Sequence, residues 1–288
     1  MTNATTQTLI LQSLTADLKA LKELAQSAAP TQITELSQHA IRCTGIAASE
    51  RSDALKSQIS DLAFAAKIDA YWSTSPKQLS DFRFLAMDMD STLITIECID
   101  EIADMQGLKP QVSAITEAAM RGEIAFPESL ARRVALLKGL PAEALQKVYD
   151  ERLQLSLGAE PLLKAIQAAG IKTLLVSGGF TFFTDRMKAR LNLDFTHANE
   201  LEIVNGKLTG NVIKGIVDAQ EKRRTVERVC AQLGITTQQA IVMGDGANDL
   251  AMMEIAGLSV AFRAKPVVRA KADVALNFVG LDGVLNLL

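Results

Sequence analysis

Two aspartates, Asp88 and Asp90, directly follow the apolar run FLAM (residues 84–87), and no other feature constrains the chain as strongly. If the run is a buried strand, its side chains alternate between faces, so both carboxylates point the same way at its carboxyl end. Two charges about 5 Å apart at an effective dielectric of about 20 repel each other by roughly 3 kcal/mol. A fold keeps such a pair only with a proton, a cation or a basic partner beside it.

Two later apolar runs also end in polar turns. IKTLLV (residues 171–176) leads into SGGF, and AIVM (residues 240–243) leads into GDGAND, with helical segments between them. This alternation indicates an α/β fold, and we expect a Rossmann-like, doubly wound parallel sheet. Ligands bind such sheets beyond the carboxyl ends of the strands, so DMDST, SGGF and GDGAND are predicted to meet. Asn205-Gly206, between alternating segments, predicts a β-hairpin.

An almost wholly helical region, residues 97 to about 155, separates the first two strands of this sheet. It is far longer than an ordinary strand-to-helix loop. Pro110, Pro127 and Pro141 lie at predicted helix starts within it. We therefore expect a helical cap, inserted after the first strand of a domain that spans residues 81–288.

Residues 1–80 carry a different pattern. TLILQSL, HAIRCTGI and KIDAYWS are typical of strands, and TADLKALKELAQSA and SERSDALKSQISDLAFAA are typical of helices. This order predicts a small α+β domain that resembles ACT-like domains, joined to the rest by TSPKQLSD. The turn QSLTADL lacks the glycine that lets such domains approach a ligand closely. We expect this domain to pair two copies of the chain into a homodimer rather than to bind an amino acid.

The bulk composition narrows the class of partner. A net charge of −3 over 288 residues favours a small-molecule substrate over nucleic acid or an anionic membrane. The three cysteines have no CxxC spacing, so neither a zinc site nor a disulfide framework is indicated. The N-terminus shows no signal peptide, and no run of apolar residues is long enough to span a membrane. We expect a cytoplasmic protein.

The polar turns together form a chemically asymmetric site. The carboxylates of Asp88, Asp90 and Asp245 suit a hard divalent cation such as Mg²⁺. Ser177, with the free amides of SGGF and a lysine from the helix EKRRTVERV, suits a phosphate group. This pairing indicates metal-assisted phosphoryl transfer. An EF-hand calcium loop is excluded because Ile99 stands where that loop requires glutamate.

The order DMDST, SGGF, lysine and GDGAND resembles the haloacid dehalogenase superfamily. The longer runs DSTLITIECIDEIA, ESLARRVALLKGL and VMGDGANDLAMM are similar to its members that hydrolyse O-phosphoserine, and the likeness covers about residues 84–280. The resemblance implies a Mg²⁺-dependent hydrolase that converts O-phosphoserine to serine and phosphate through an aspartyl-phosphate, the last step of serine biosynthesis.

The resemblance also implies individual roles. Asp88 would attack phosphorus and contact Mg²⁺, and Asp90 would act as the general acid and base while its carbonyl oxygen binds the metal. Asp245 would complete the protein ligands, with Asp249 supporting them. The remaining residues expected to bind substrate are Ser177, Gly178, Lys222 and Asn248 at the phosphate, Glu97 at the amino group and Arg133 at the carboxylate, with Phe126 and Met120 excluding water.

Some of these positions have simpler interpretations. Glu97 shares a predicted helix face with Glu101 and Asp104, which is typical of a solvent-exposed stripe. A structural acid such as Glu128 is an alternative partner for Arg133. Residue spacing alone leaves Lys222 and its neighbours in EKRRTVERV equivalent. Two other functions also remain open: hydrolysis or transfer of phosphate on another small ester, and a regulatory protein that works through residues 1–80.

Overall fold

A computed structural model describes residues 6–47, 52–120 and 123–288, without the side chains of Ser52 and Met120. The predicted contribution of Met120 to the site therefore lies outside the described residues. Within the described ranges, no helix combines the length and the hydropathy needed to cross a bilayer.

The first part of the described chain forms a four-stranded antiparallel sheet in the order β2-β3-β1-β4. Its elements are β1 (Thr6–Ser13), α1 (Leu18–Gln26), β2 (Gln32–Ser37), β3 (Ala40–Ala47), α2 (Ser52–Ala65) and β4 (Ile68–Ser73). The predicted strands and helices of this segment are present. Strand β2 was not predicted, because it lies at the edge of the sheet and has no buried residue that would produce an apolar pattern.

The second sheet has seven strands in the order β11-β10-β9-β5-β6-β7-β8. Its strands are β5 (Phe84–Met87), β6 (Lys172–Phe180), β7 (Phe195–Val204), β8 (Lys207–Ile213), β9 (Ala240–Gly244), β10 (Leu258–Phe262) and β11 (Val274–Leu276). Every neighbouring pair is parallel except β7 with β8. The predicted α/β fold with a mostly parallel sheet is confirmed.

Strand β5 lies at the centre of this sheet, and all four of its residues are buried. Leu85 and Met87 pack into one hydrophobic core, whereas Phe84 and Ala86 pack into the other. A strand with apolar side chains on both faces needs helices on both sides of the sheet, which explains the unbroken apolar run. The chain moves outward from β5 through β6 and β7 and returns on the other side with β9, so the order reverses at β5.

Five helices lie between β5 and β6. They are α3 (Cys98–Asp104), α4 (Lys109–Met120), α5 (Phe126–Leu136), α6 (Glu143–Glu151) and α7 (Ala159–Ala168). Pro110 and Pro127 occupy the second positions of α4 and α5, where the missing backbone N–H costs nothing. Pro141 lies two residues before α6.

Four further helices follow β6: α8 (Thr181–Leu191), α9 (Ala219–Leu233), α10 (Leu250–Met253) and α11 (Pro266–Arg269). The predicted hairpin joins β7 to β8. Asn205 and Gly206 form its turn, with φ values of 50° and 73°. Positive φ at both central residues matches the twist of the flanking strands.

SGGF is not the separate turn that the sequence predicted. Strand β6 continues to Phe180, and its pairing with β7 is irregular between Val176 and Phe180. The two glycines remove the side chains that would mark this stretch as a strand. The irregular end of β6 places Ser177 and Gly178 at the carboxyl edge of the sheet.

Candidate active site

A cavity of about 600 Å³ lies at the carboxyl ends of β5, β6 and β9. Among the residues that line it are Asp88, Asp90, Glu97, Arg133, Ser177, Gly178, Asp245 and Asn248. Lys222 is not in the lining, because its side chain is fully buried beneath Asp88. The structure thus brings the predicted site residues together at one edge of the sheet.

The end of β5 places the two aspartates. The Asp88 backbone N–H donates to the Met243 carbonyl oxygen at 3.0 Å, which extends the contact with β9 by one residue. The chain then turns sharply at Ser91, which has a φ of 57°. The Met89 N–H donates to Asp88 Oδ1 at 2.7 Å, so the local turn holds the Asp88 carboxylate. Asp88 is buried, with 4% of its surface exposed.

Lys222 links two of the acids. Its Nζ lies 2.8 Å from Asp88 Oδ1 and 2.8 Å from Asp249 Oδ1. The other carboxylate oxygen of Asp249 accepts the backbone N–H groups of Asp245 at 3.2 Å and Gly246 at 3.0 Å. Both oxygens of Asp249 are therefore engaged in holding the lysine and the loop after β9.

The electrostatics of the pocket favour an added positive charge. Burial raises the pKa of Asp88, and Asp249 and Asp245 add to that shift while Lys222 opposes it. Burial likewise raises the pKa of Asp90 to about 8, with a contribution from Glu97. Burial raises the pKa of Asp245 to about 7, with a contribution from Asp249. These shifts show that the ionised carboxylates lack enough compensation from protein groups alone.

Burial alone would lower the pKa of Lys222, but Asp249 and Asp88 outweigh it and the net pKa is raised. The lysine therefore stays charged, and it is the basic partner that the opening pair of aspartates requires. One lysine does not balance the several acids around it, so room remains for a cation.

Three carboxylates could hold a metal ion. Oxygen atoms of Asp88, Asp245 and Asp249 lie within 4.8 Å of one another. The oxygens of Asp249 already accept hydrogen bonds from Lys222 and from backbone amides. That leaves Asp88 and Asp245 as the better placed ligands. An all-oxygen site with raised carboxylate pKa values fits a hard divalent cation such as Mg²⁺.

The end of β6 supplies a compact polar surface opposite the acids. Ser177 is buried, and its Oγ accepts the Gly179 N–H at 2.8 Å. A Cβ atom on Gly178 would lie 3.1 Å from Cζ of Phe126, and one on Gly179 would lie 2.9 Å from Asp90 Oδ2. Larger residues at these positions would crowd the cavity, so both glycines keep space for a ligand.

Glu97 departs from the solvent-exposed helix stripe considered for it. It occupies the N-cap position of α3, and its Oε1 accepts the hydroxyl of Ser91 at 2.7 Å. Glu101 and Asp104 turn away and both pair with Arg152 at 2.5 Å. Partial enclosure raises the pKa of Glu97. The stripe interpretation is therefore wrong, because the helix begins only after Glu97.

Arg133 projects from α5 into the same cavity. The proposed structural partner Glu128 is wrong, because Glu128 pairs with Arg132 at 2.5 Å. Burial lowers the pKa of Arg133, and the acids that oppose this shift are Asp100, Glu97 and Asp90. Arg133 and Glu97 thus face one cavity with opposite charges.

Two residues near the acids were not assigned a binding role from the sequence. Lys265 lines the cavity, and its backbone N–H donates to the Asp245 carbonyl oxygen at 3.2 Å. It directly precedes Pro266 at the start of α11, and this Lys-Pro pair was the available signal. Thr92 donates its hydroxyl to Asp245 Oδ1 at 3.2 Å.

The fold and the site define a class of protein. A parallel sheet delivers Asp-x-Asp, a serine beside two glycines and an acid-rich loop to one edge, with a buried lysine beneath, which is the layout of a hydrolase of the haloacid dehalogenase type. The chain belongs to the haloacid dehalogenase-like hydrolase family, which matches residues 82–257.

Known proteins resemble this chain more broadly. A phosphoserine phosphatase of Polaromonas sp. is 56% identical over 220 residues, which are 75% of this chain and 93% of that protein. A HAD family hydrolase from Salmonella enterica serovar Typhi has a TM-score of 0.87 at 34% identity, covering 97% of this chain and 98% of that structure. The unliganded structure of a probable phosphoserine phosphatase from Vibrio cholerae has a TM-score of 0.82 at 35% identity, covering 98% and 86%.

Proposed function

We propose that this chain hydrolyses O-phosphoserine to serine and inorganic phosphate, the reaction that completes serine biosynthesis. The observation that carries the proposal is one cavity in which an acid cluster with a buried lysine faces Glu97 and Arg133. Phosphoserine offers three matching groups: a phosphate, an ammonium and a carboxylate. The 56% identity to a protein named phosphoserine phosphatase supports this substrate.

The two aspartates at the end of β5 carry the chemistry in this proposal. An Asp88 oxygen attacks phosphorus, and the bond between phosphorus and the serine oxygen breaks. Asp90 gives its proton to the departing serine oxygen, and the raised pKa of about 8 keeps that proton available near neutral pH. Asp90 then takes a proton from the water that attacks the aspartyl-phosphate, which releases phosphate and restores Asp88.

Mg²⁺ would be held by the carboxylates of Asp88 and Asp245 and by the backbone carbonyl oxygen of Asp90. When bound, it supplies positive charge that neutralises the phosphoryl oxygens. Asp249 supports this arrangement through its hydrogen bonds to Lys222 and to the Asp245 amide.

The phosphate-binding set combines side chains from three strand ends. Ser177, the Gly178 N–H, Lys222 and Asn248 would hold the phosphoryl oxygens. A preorganised donor set is effective because it does not have to rearrange as charge develops. The hydrogen bond from Lys222 to Asp249 fixes the ammonium group before any substrate arrives.

Recognition of the serine part falls to the helices between the first two strands of the sheet. We infer that residues from about 97 to 155, including α3 to α6, form a cap over the acids. Arg133 would bind the substrate carboxylate as a planar fork, and Glu97 would bind the ammonium. Phe126, and Met120 in the same proposal, would exclude water that could hydrolyse the intermediate out of turn.

The domain assignment is also part of the proposal. Residues 1–80 would form the ACT-like domain, and residues 81–288 would form the phosphatase domain. The four-stranded antiparallel sheet with two helices supports the first assignment. Pairing of two copies through this domain remains a prediction, for which the exposed edge strand β2 offers a surface.

Substrate comparison tests the proposal and separates it from hydrolysis of another ester. Release of phosphate is measured from phosphoserine, phosphothreonine and phosphoethanolamine, with Mg²⁺ present. We expect phosphoserine to be preferred, and Arg133→Ala to lower its kcat/KM by about 10²-fold because a charged, bidentate contact is lost. Phosphoethanolamine lacks the carboxylate, so its turnover should not change in that variant.

Arg132→Ala is the matched control, because Arg132 is the adjacent residue of α5 and pairs with Glu128 instead. It should retain wild-type kinetics. Undiminished phosphoserine turnover in Arg133→Ala would refute the carboxylate assignment. Phosphate transfer to an added alcohol at the expense of free phosphate would favour a phosphotransferase.

A further inference from the structure

The hairpin strand β8 touches helix α5 at a glycine remote from the acid cluster. Gly210 has a φ of +87°, and a Cβ atom built on it would lie 3.0 Å from Cβ of Lys138. The same atom would lie 3.3 Å from both Cα and the carbonyl oxygen of Ala135. These separations are shorter than ordinary van der Waals contacts between carbon atoms, which are about 3.5–4.0 Å. The missing side chain therefore lets β8 approach the helix backbone directly.

Backbone hydrogen bonds fix the same junction just beyond the helix. The Gly139 N–H donates to the Leu208 carbonyl oxygen at 2.8 Å, and the Leu208 N–H donates to the Leu140 carbonyl oxygen at 2.8 Å. The Ala142 N–H donates to the Gly206 carbonyl oxygen at 2.8 Å. Hairpin and helix thus meet at a rigid joint, in which Gly210 sets the distance between them.

Helix α5 also carries Arg133 into the cavity, two residues before Ala135. We propose that Gly210 is a positioning residue for substrate recognition: it sets how α5 is seated and thereby where the Arg133 guanidinium lies. This inference rests on the proposed function, in which Arg133 binds the substrate carboxylate.

A methyl group at position 210 would push on the backbone of α5 rather than on a flexible side-chain end. Two of the three crowded atoms belong to the Ala135 backbone, and the third is the first side-chain carbon of Lys138. An α-helix moves largely as a unit, so relief of the contact displaces the residues one turn away. A bidentate guanidinium contact is sensitive to such a displacement, because both hydrogen bonds depend on one orientation.

Gly139 provides a matched control at the same joint. Its φ of +86° is almost the same as that of Gly210, but a Cβ atom there would meet no other atom within 4 Å. Alanine at either position carries the same cost of a left-handed backbone conformation. Only alanine at position 210 adds the collision with α5, so the difference between the two variants isolates the contact.

The experiment compares wild type, Gly210→Ala and Gly139→Ala with phosphoserine and phosphoethanolamine. We expect Gly210→Ala to raise KM for phosphoserine about fivefold with a smaller change in kcat, and to leave phosphoethanolamine unchanged relative to Gly139→Ala. In an Arg133→Ala background, the effect of Gly210→Ala should disappear, because both substitutions act on one contact. Equal losses for both substrates, equal effects of both glycine variants or additivity with Arg133→Ala would overturn the proposal.

Two further measurements cover the remaining outcomes. Lys138→Ile crowds the same contact from the helix side without a side chain at a positive φ, so it replaces Gly210→Ala if that variant does not fold. Crystal structures of the variants should show α5 shifted from β8 in Gly210→Ala or Lys138→Ile but not in Gly139→Ala. An unshifted helix would overturn the inference even if the wild type left phosphoserine intact, an outcome that would separately refute the proposed function.

Discussion

Lys222 Nζ lies 2.8 Å from Asp88 Oδ1, and both side chains are buried. A buried ion pair is costly to form, but removing one partner is costlier because the other charge is left without compensation. Lys222 also bonds Asp249, so it holds two acids from two different strand ends. This lysine therefore joins the structural integrity of the site to its proposed chemistry.

Lys222→Met should abolish measurable turnover and lower stability by about 3–5 kcal/mol, the usual cost of breaking a buried ion pair. The fall in stability should be smaller at low pH, where Asp88 and Asp249 become protonated and no longer need a cation. Phosphate release and thermal unfolding at several pH values measure both effects.

Arg223→Met is the control for Lys222→Met, since Arg223 is the next residue of α9. It is partly exposed and pairs with Glu227 at 3.0 Å and Glu254 at 3.2 Å, outside the cavity. It should keep full activity, with a stability change below about 1 kcal/mol. Substantial activity in Lys222→Met would contradict the role of the lysine.

The choice between Lys222 and Arg223 shows what the sequence could and could not predict. The order of the motifs pointed to a lysine, but the run EKRRTVERV offers several cations. In the structure, Lys222 lies on the buried stripe of α9 with Val226 and Val229. That stripe has the spacing of one helix face, so extending it back by one turn would have selected Lys222 without reference to a family.

The strands were predictable because buried apolar runs have few alternative conformations. FLAM coincides with β5 and LSVAF with β10, since both faces of these strands are covered. SGGF was misassigned because its glycines carry no strand signal. Its position at the end of β6 depends on pairing with distant residues of β7, which local sequence does not encode.

The pairing of Glu128 was missed for a related reason. Glu128 can reach either Arg132 or Arg133 along the helix, and only the packing of α5 decides which of them faces the cavity. The structure turns Arg132 outward to Glu128 and Arg133 inward. Residue spacing located the helix face only to within one residue.

Asp88→Asn and Asp90→Asn should affect different steps of the proposed reaction. Asp88→Asn removes the nucleophile and should give no phosphoenzyme at any time. Asp90→Asn retains the backbone carbonyl but cannot donate or accept the proton, so kcat should fall by about 10²–10⁴-fold. Rapid acid quenching with labelled substrate measures the phosphoenzyme and product together. Near-normal rates in either variant would contradict the assignment.

Magnesium binding should depend on pH in a defined direction. Asp245 has a pKa raised to about 7 by burial, so near neutral pH a proton occupies a substantial fraction of this carboxylate. A cation must displace that proton, and the affinity for Mg²⁺ should therefore rise as pH increases from 6 to 8. Calorimetry in buffers with different ionisation enthalpies measures both the affinity and the protons released.

Asp245→Asn should weaken Mg²⁺ binding and reduce the number of protons released. Asp273→Asn serves as a control: Asp273 lies outside the cavity and its carboxylate accepts hydrogen bonds from Ser259. Affinity that does not change between pH 6 and 8, with no proton release, would show that these carboxylates are already ionised without the metal.

Asp69 joins the two sheets. Its carboxylate, 3% exposed on β4, accepts the backbone N–H groups of Asn277 at 2.8 Å, Phe278 at 3.0 Å and Val279 at 3.1 Å, just after β11. Three amides that converge on one carboxylate have no alternative partner once it is lost, and each unsatisfied buried donor costs about 1–3 kcal/mol. The four-stranded sheet is thus fixed to the catalytic sheet by one side chain.

Asp69→Asn presents an amide N–H₂ group where the carboxylate accepted donors, so it should destabilise the protein by about 3 kcal/mol. At about 2–4 °C per kcal/mol for a chain of this size class, the melting temperature should fall by about 6–12 °C. The exposed Asp61→Asn on α2 should leave it unchanged. Because Asp69 does not line the catalytic cavity, kcat below the transition should match the wild type. A lower kcat at an unchanged melting temperature would instead mean that this contact acts on the site and not on the joint between the sheets.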